Sequence, residues 1–600
     1  MRRTILLSLI VVALMLSACA DEPETADRNE AAKQDEAAEQ LHSLFEEYFD
    51  KSVERNPLRA TFLGDHRFND RLAITISPEY RQESMELERE FLDRVEGIDP
   101  ELLEHQDRLS RELFLRERRQ SLEAAEYPQH LVPVNQMRNF GNTFAQLGSG
   151  EGAQPFEDAE DYRDFLGRIE DFSRWVDQAI ENMEEGIERG IVLPKLLVER
   201  TVDQLDNHVV DEPEDSLFWS PLEDWPEEID SDTREELRDS YRSAISETLV
   251  PAYARLRDFM TEEYHEHGLE ADGMHALPGG DEWYATLVRH TTTTDLGPGE
   301  IHDIGLAEVE RIHEEMHAVM EAVDFDGSLD EFFEFTASDE QFYVDEPEEL
   351  IQAYEDLRER VDEGARELFD LTPEADYEIR AVEPYRERSA AGASYMRPAP
   401  DGSRPGIFYV NTYDLSSRPL WAVESLFLHE AVPGHHFQLA LQQEQEELPR
   451  FRRHGGNTAF IEGWALYAEA IGEEMGMYED PYQYFGALNA ELWRAIRLVV
   501  DTGLHYHGWS REDVLDYMHE NSAAGESRAV SEAERYMAIP SQALAYKIGQ
   551  LEIQNLRERA EDALGEDFDI RAFHNLILRN GPLPLDMLSD EVDRWIEEQA

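Results

Sequence analysis

The chain has 600 residues, of which 133 are acidic and 54 are basic, so its formal net charge is −79. Such a charge repels the phosphates of nucleic acids and excludes them as partners. An excess of acidic residues together with few lysines resembles the composition of proteins from saline habitats. The alternative is that the acidic surface only keeps the protein soluble. We hypothesise a halophilic or salt-tolerant source. A melting temperature no higher in about 2 M salt than in dilute buffer would refute it, because salt screens the self-repulsion.

The first residues predict a secreted, lipid-anchored protein. Two arginines precede an apolar run from Ile5 to Leu16, which is too short to span a membrane comfortably and indicates a signal peptide over residues 1–18. The run ends in L-S-A-C, which resembles a lipobox and implies lipid attachment at Cys19, the only cysteine. The small residue Ala20, directly after the cysteine, favours anchoring of the protein in the outer membrane, where it would face the periplasm. The alternative is an ordinary secretory signal with an incidental cysteine.

Most of the mature chain has helical periodicity. Residues 19–37, rich in Asp, Glu and Ala, predict a lipidated flexible tether. Apolar residues then recur at steps of three and four up to about Asp258, and helices resume near Pro298. Because no Pro/Gly/Ser linker is evident, we predict a single helical unit over residues 38–600, with an N-terminal half of about 38–295 and a second half of about 296–600 that carries the candidate site.

The helical pattern breaks between about Tyr377 and Asn411. Residues 377–382 alternate between apolar and polar, residues 393–397 are short and extended, and residues 406–411 are rich in strand formers. We predict a mainly α fold with a small β-sheet, to which an extended peptide could add as a strand. Asn411 is a candidate substrate contact or, equally, a residue that initiates a turn. Ser417-Arg418-Pro419 predicts the start of the next helix.

The most informative segment is the octapeptide H-E-A-V-P-G-H-H, residues 429–436. In the H-E-x-x-H signature, two histidines at i and i+4 on one helix face bind zinc, and the Glu acts on water. Here the later histidines fall at i+6 and i+7, and on a straight helix neither could share a metal with His429. Pro433 and Gly434 can loop out of the helix, which would return His435 to the i+4 position. His436 is the alternative to His435 as the second ligand. If it is not a ligand, we expect it to support the ligands from behind.

A third ligand is expected on a following helix. The stretch F-I-E-G-W-A-L-Y-A-E, residues 460–469, has an apolar stripe at helical spacing, with Glu462 and Glu469 seven residues apart and both able to face inward. A carboxylate that faces a core needs a cation or a hydrogen-bond donor. We assign Glu462 as the ligand and Glu469 as the acceptor that orients a histidine.

Further donors must stabilise the oxyanion of a tetrahedral intermediate. The segment after Arg528 supplies cationic and phenolic groups, and we predict Tyr536 as the oxyanion donor. Arg535 is expected to bind a substrate carboxylate or backbone, and Tyr546 to contact substrate. His505 is a further candidate for contacting the substrate. The alternative is that it is a buried histidine bonded to a carboxylate.

These motifs resemble a bacterial family known as domain of unknown function 885, whose members are often lipoproteins similar to M3-like zinc peptidases. Besides the octapeptide and E-G-W-A-L-Y-A-E, the resemblance rests on P-L-R-A-T-F-L-G-D from Pro57, L-P-G-G-D-E-W-Y from Leu277, T-T-T-T-D-L-G-P-G-E-I-H from Thr291, D-T-G-L-H from Asp501 and R-Y-M-A-I-P-S-Q-A-L-A-Y-K-I-G from Arg535. It implies a large helical shell with a deep cleft and peptidase activity.

The predicted activity is zinc-dependent hydrolysis of short, unstructured peptides. One Zn²⁺ held by His429, His435 and Glu462 would activate water, and Glu430 would take its proton and pass it to the leaving amine. Manganese or cobalt could replace zinc. Two alternatives are a metal-dependent hydrolase of a non-peptide or cell-wall amide and a non-catalytic peptide- or metal-binding lipoprotein. The sequence leaves the cleavage specificity and the oligomeric state open.

Overall fold

The computed structural model describes residues 22–383, 387, 390–399, 402 and 404–599. The predicted signal peptide and lipidated Cys19 lie outside these residues. Fifteen α-helices precede the sheet in the described part of the chain: α1 (Glu22–Arg55), α2 (Pro57–Phe62), α3 (Pro78–Glu96), α4 (His105–Ala124), α5 (Phe140–Leu147), α6 (Ala159–Arg189), α7 (Lys195–Asp206), α8 (Ser231–Ala244), α9 (Val250–Phe259), α10 (His265–His267), α11 (Gly280–Thr292), α12 (Pro298–Ala322), α13 (Leu329–Ser338), α14 (Pro347–Glu355) and α15 (Arg358–Leu368).

A small sheet follows, as predicted. Its strands are β1 (Tyr377–Ala381), β2 (Ala393–Met396) and β3 (Gly406–Val410), in the order β1-β3-β2. The central strand β3 pairs in parallel with β1 and antiparallel with β2, and all five of its residues are buried. Strand β2 therefore has one edge without a partner strand among the described residues.

Helices resume after the sheet and carry the candidate site: α16 (Val423–Glu430), α17 (His435–Glu444), α18 (Arg450–Arg453), α19 (Thr458–Ala470), α20 (Pro481–Thr502), α21 (Arg511–Asn521), α22 (Glu526–Ala538), α23 (Ala545–Leu564), α24 (Ile570–Arg579) and α25 (Leu585–Gln599). The helix predicted from Ser417 begins later, at Val423, because two short 3₁₀ turns occupy Leu415–Ser417 and Leu420–Ala422. The mainly α fold with a small sheet is confirmed.

The first helix includes most of the segment predicted as a tether. Helix α1 begins at Glu22, so residues 22–37 are helical. Leu41 and Phe45 on α1 are buried in a hydrophobic cluster that also contains Phe451 and Trp595. Helices α1 and α25, the first and last that the structure describes, therefore share one core. A second cluster, between Leu72 and Tyr264, belongs to the N-terminal helices alone.

Helices α19 and α23 cross at backbone contact. A Cβ added to Gly463 would lie 2.5 Å from the Gly549 backbone, and one added to Gly549 would lie 1.9 Å from the carbonyl oxygen of Ala459. The side chain of Asn457 caps α19 by accepting a hydrogen bond from Phe460 N–H. These contacts fix the axial position of α19 and of the carboxylates it carries. None of the described helices has both the length and the apolar character needed to cross a membrane.

Candidate metal centre

The predicted loop-out at Pro433 and Gly434 takes the form of a complete break between two helices. Helix α16 ends at Glu430 and α17 begins at His435, so four residues lie outside both helices. A Cβ on Gly434 would lie 1.9 Å from the carbonyl oxygen of His429, so only glycine fits there. The indole N–H of Trp464 on α19 donates to the Pro433 carbonyl at 2.8 Å. The break is thus tied to the helix that carries Glu462.

The break brings His435, and not His436, back to His429. The two imidazole rings are 4.7 Å apart between centroids and nearly perpendicular, at 81°. Glu462 Oε2 lies 3.8 Å from His429 Nε2 and 3.5 Å from His435 Nε2. One ligand atom from each of the three side chains lies within 4.8 Å of the others. We call His429, His435 and Glu462 the metal triad.

His429 is held by the acceptor that the sequence predicts. Its Nδ1 lies 2.7 Å from Glu469 Oε1, and the Ser425 hydroxyl donates to the other carboxylate oxygen. Burial raises the pKa of the Glu469 carboxyl, but the charge of Arg494 and these hydrogen bonds outweigh it and lower the pKa. An ionised Glu469 fixes the proton of His429 on Nδ1, so that the lone pair of Nε2 faces Glu462.

The other two members of the metal triad influence each other. Burial lowers the pKa of His435, but the nearby carboxylates of Glu462 and Glu430 outweigh burial and raise the pKa above its usual value. Burial raises the pKa of Glu462, but His435, His429 and Arg497 outweigh burial and lower the pKa to about 2. Nδ1 of His435 is buried without a hydrogen-bond partner among the described residues. Of the two histidines, only His429 has a carboxylate behind it.

Glu430 directly follows the metal ligand candidate His429 in the chain. It is the last residue of α16 and only 8% exposed. No described group donates a hydrogen bond to its carboxylate, which is close enough to His435 to raise that histidine's pKa. A buried carboxylate without a donor is costly unless a ligand or water supplies one.

A divalent metal fits these side chains. Two imidazole nitrogens and one carboxylate oxygen form the donor set of catalytic zinc sites, which keep a fourth position open. Glu469 directs the lone pair of His429 Nε2 toward the negatively charged carboxylate of Glu462, so two acceptors face each other. A cation between this nitrogen and the carboxylate would remove their repulsion.

His436 and Asn411 do not support the site as predicted. The ring of His436 is 2% exposed and faces the sheet, with Nδ1 2.8 Å from the Tyr395 hydroxyl on β2. Burial lowers its pKa to about 4. The Asn411 amide donates to the carbonyls of Glu387 and Ala390, and its oxygen accepts from Tyr413 N–H. Asn411 therefore organises the loop beside β3.

Tyr536, predicted as the oxyanion donor, and Arg535, predicted to bind substrate, are both hydrogen-bonded to other side chains in this structure. The Tyr536 hydroxyl is buried and donates to Glu532 at 2.5 Å, while Arg497 Nε donates to it at 3.0 Å. Burial raises its pKa. Arg535 donates to both oxygens of Glu532 and to Gln542. We call Arg497, Glu532, Arg535 and Tyr536 the arginine–tyrosine cluster; its donors already have acceptors.

His505 is structural, whereas Tyr546 keeps a free hydroxyl. His505 accepts from Met274 N–H at Nδ1 and donates to the Tyr536 carbonyl from Nε2, so backbone groups and not a carboxylate hold it. Burial lowers its pKa to about 4. Tyr546 is half-buried, and its ring lies 4.6 Å from the Arg497 guanidinium. Its hydroxyl makes no hydrogen bond to any described residue.

The sequence reasoning missed the polar residues of α20. Arg494 lies 3.6 Å from Glu469, and the charge of Arg497 lowers the pKa of Glu462. The available signal was a pair of arginines three residues apart inside the apolar run L-W-R-A-I-R-L-V-V, which places both on one helix face. A cavity of about 470 Å³ borders Glu469, Arg311 and Glu491, on the side of Glu469 away from the metal triad, whose residues do not line it.

The fold and the histidine–carboxylate constellation define a mainly helical protein with a candidate metal centre. The model of the family described as "Bacterial protein of unknown function (DUF885)" matches residues 57–592, and the chain belongs to that family. It is similar to the crystal structure of "the putative lipoprotein from Colwellia psychrerythraea", at 29% identity and a TM-score of 0.85, over 94% of this chain and 99% of that one.

A second solved structure shares the fold. The protein described as "a putative lipoprotein of unknown function from Shewanella oneidensis" has a TM-score of 0.72 at 17% identity, over 92% of this chain and 99% of that one. None of the curated proteins matches the sequence. The likeness to the Colwellia psychrerythraea lipoprotein agrees with an association with the cell envelope.

Proposed function

We propose that this protein is a zinc-dependent peptidase of the cell envelope that hydrolyses short, unstructured peptides. The observation that carries the proposal is the convergence of His429, His435 and Glu462 beside the unpaired carboxylate of Glu430. A pure metal-binding site has no use for that fourth group. The lipobox ending at Cys19 and the similarity to lipoproteins support the location, with the outer membrane and the periplasm as the proposed setting.

In this proposal, His429, His435 and Glu462 hold the ion, which when bound activates water and polarises the scissile carbonyl. Glu430 accepts the proton of the attacking water and returns it to the leaving amine. The hydroxyl of Tyr546 replaces Tyr536 as the donor to the carbonyl oxygen, because it is free and lies beside Arg497.

The sheet provides a place for the substrate backbone. The edge of β2 that has no partner strand among the described residues can accept an extended peptide as an added strand. Tyr395 on β2 contacts His436, the neighbour of His435, so this strand lies next to the metal triad. A substrate bound in this way has to be unfolded, which favours short peptides over folded proteins.

The test is a panel of quenched short peptides, assayed with zinc and with a chelator. We expect cleavage that the chelator abolishes and added zinc restores. Glu430→Gln should lower kcat/KM by about 10²- to 10⁴-fold while zinc is retained, because only the proton acceptor is removed. Glu446→Gln, an exposed glutamate after α17, is the matched control. Zinc-loaded protein that cleaves none of the peptides would refute the proposal and favour a different amide substrate or a binding role.

A further inference from the structure

Two buried polar atoms lie one helical turn apart on α17 and have no hydrogen-bond partner among the described residues. They are Nδ1 of His435 and the side-chain oxygen, Oε1, of Gln438. The Gln438 side chain is buried, with 2% of the residue exposed. Native proteins leave few buried polar atoms unpaired, because such atoms have lost their hydrogen bonds to water. Two of them on neighbouring turns of one helix therefore indicate that they serve each other.

The hydrogen bonds of the next glutamine fix the orientation of the Gln438 amide. Gln442 Nε2 donates to the carbonyl oxygens of Arg452 at 2.8 Å and of Gly455 at 2.9 Å, so both of its amide protons are used. The side-chain oxygen of Gln442 can only accept, and it accepts from Gln438 Nε2 at 3.4 Å. The atom that Gln438 has left over is consequently an acceptor.

The unpaired atom of His435 is the complementary group. The other ring nitrogen, Nε2, faces Glu462 Oε2 at 3.5 Å and is the atom that belongs to the metal triad. An imidazole that binds a metal through Nε2 carries its proton on Nδ1, and this proton needs an acceptor. For His429 the acceptor is the carboxylate of Glu469, at 2.7 Å. His435 has no such acceptor among the described residues.

The geometry of α17 places Gln438 over His435. The backbone is helical at this point, since Gln438 N–H donates to the Gly434 carbonyl at 3.0 Å. Residues three apart are neighbours on a helix face, and a side chain in a helix leans toward the preceding turn. The 3.4 Å hydrogen bond to Gln442 is long and restrains the Gln438 amide only weakly. The amide can therefore turn toward the ring that it covers.

We propose that Gln438 is the positioning residue of His435: its amide rotates so that Oε1 accepts the Nδ1 proton of the metal-bound imidazole. This inference rests on the metal centre of the proposed function and adds one residue to it. The two histidines are then held by different acceptors, a carboxylate behind His429 and a neutral amide behind His435. Because an amide is the weaker acceptor, His435 is the less basic of the two ligands.

The experiment measures the zinc affinity of metal-free protein by competition with a chromophoric chelator. Gln438→Leu should weaken zinc binding by about 10- to 100-fold, which is the usual effect of removing the acceptor behind a ligating histidine. Gln438→Glu keeps an acceptor and should bring the affinity back close to that of wild type. Gln443→Leu is the matched control, because Gln443 also donates one hydrogen bond and has an unpaired oxygen, but lies two turns beyond His435.

Two further readouts separate positioning from a purely structural role. Without zinc, Gln438→Leu should melt no lower than Gln443→Leu, because each variant removes a buried oxygen that has no donor. With zinc, the proton NMR spectrum of wild-type protein should contain a downfield Nδ1–H signal from His435, typical of a hydrogen-bonded imidazole. This signal should move upfield in Gln438→Leu and stay in place in Gln443→Leu.

The possible outcomes separate the inference from the proposed function. Equal zinc affinity in wild type and Gln438→Leu would overturn the inference and leave the metal centre intact, as would an unchanged Nδ1–H signal. A Gln438→Glu variant that binds zinc as weakly as Gln438→Leu would also overturn it. So would a Gln438→Leu variant that melts lower than the control without zinc, because the glutamine would then be structural. Wild-type protein that binds no zinc would refute the metal centre, and the inference with it.

Discussion

The metal triad and the arginine–tyrosine cluster are two polar regions that differ in how far their polar groups are hydrogen-bonded to one another. In the metal triad, imidazole nitrogens and a carboxylate oxygen face one another at 3.5 and 3.8 Å. In the arginine–tyrosine cluster, Arg497, Arg535 and Tyr536 all donate to Glu532. Buried polar groups are normally satisfied. The unsatisfied region is therefore the candidate for chemistry, and the satisfied one supports it.

The largest expected effect comes from closing the break between α16 and α17. Gly434→Ala should abolish detectable zinc binding, because the added methyl would lie 1.9 Å from the His429 carbonyl oxygen and would displace His435. Calorimetric zinc titration measures the effect. Gly525→Ala is the control, because a Cβ there meets no atom within 4 Å. Zinc affinity unchanged in Gly434→Ala would mean that the break does not position the ligands.

Two tyrosines test the difference between the regions directly. Tyr546→Phe should lower kcat by about 100-fold without changing the melting temperature, because a free oxyanion donor is lost. Tyr536→Phe should instead destabilise the fold by about 1–3 kcal/mol with little effect on kcat, because Glu532 and Arg497 lose a partner. Steady-state kinetics and urea unfolding separate the two effects. The reverse pattern would restore Tyr536 as the oxyanion donor.

Within the metal triad, the carboxylate behind His429 should matter for zinc affinity. Glu469→Gln is expected to weaken zinc binding by about 10- to 100-fold, because the imidazole loses the acceptor that fixes its tautomer. Ser425→Ala should have a smaller effect, since it removes only one hydrogen bond to Glu469. Glu473→Gln, exposed just beyond α19, is the control. Equal affinities in Glu469→Gln and the control would show that His429 needs no support.

The smallest expected effect is on the pH dependence of stability. Burial lowers the pKa of His505 and of His574 from 6.5 to about 4, so both stay neutral in the folded state while the unfolded chain takes up protons. The free energy of unfolding should therefore fall as the pH drops from about 6.5 to about 4. Each histidine contributes about 1.4 kcal/mol per pH unit. His574→Gln should reduce the slope measured by urea unfolding, and an unchanged slope would contradict this.

The sequence predicted what depends on local pattern. The periodicity of helices and strands placed the small sheet at residues 377–410, and the seven-residue spacing placed Glu462 and Glu469 on one face of α19. Pro433 and Gly434 indicated the break that brings His435 to His429. These features follow from backbone geometry within about ten residues.

Most features that depend on distant partners were not predictable. Glu532 lies one helical turn before Tyr536, so that pair could have been recognised from its spacing, but only the fold shows that the Tyr546 hydroxyl has no such partner. Asn411 and His505 were likewise polar residues in suggestive positions whose groups are used by backbone atoms from other segments. The composition of residues 19–37 indicated a tether, and did not reveal that residues 22–37 continue the helix whose later residues are buried.

The central claim is that His429, His435 and Glu462 bind one metal ion used in catalysis. The most direct measurement is zinc titration of metal-free wild-type protein and of Glu462→Gln. We expect one tightly bound ion per wild-type chain and binding weaker by at least about 100-fold in the variant, which lacks one of three ligands. If wild-type protein binds no zinc, or if the variant binds it equally well, these residues do not form a metal centre.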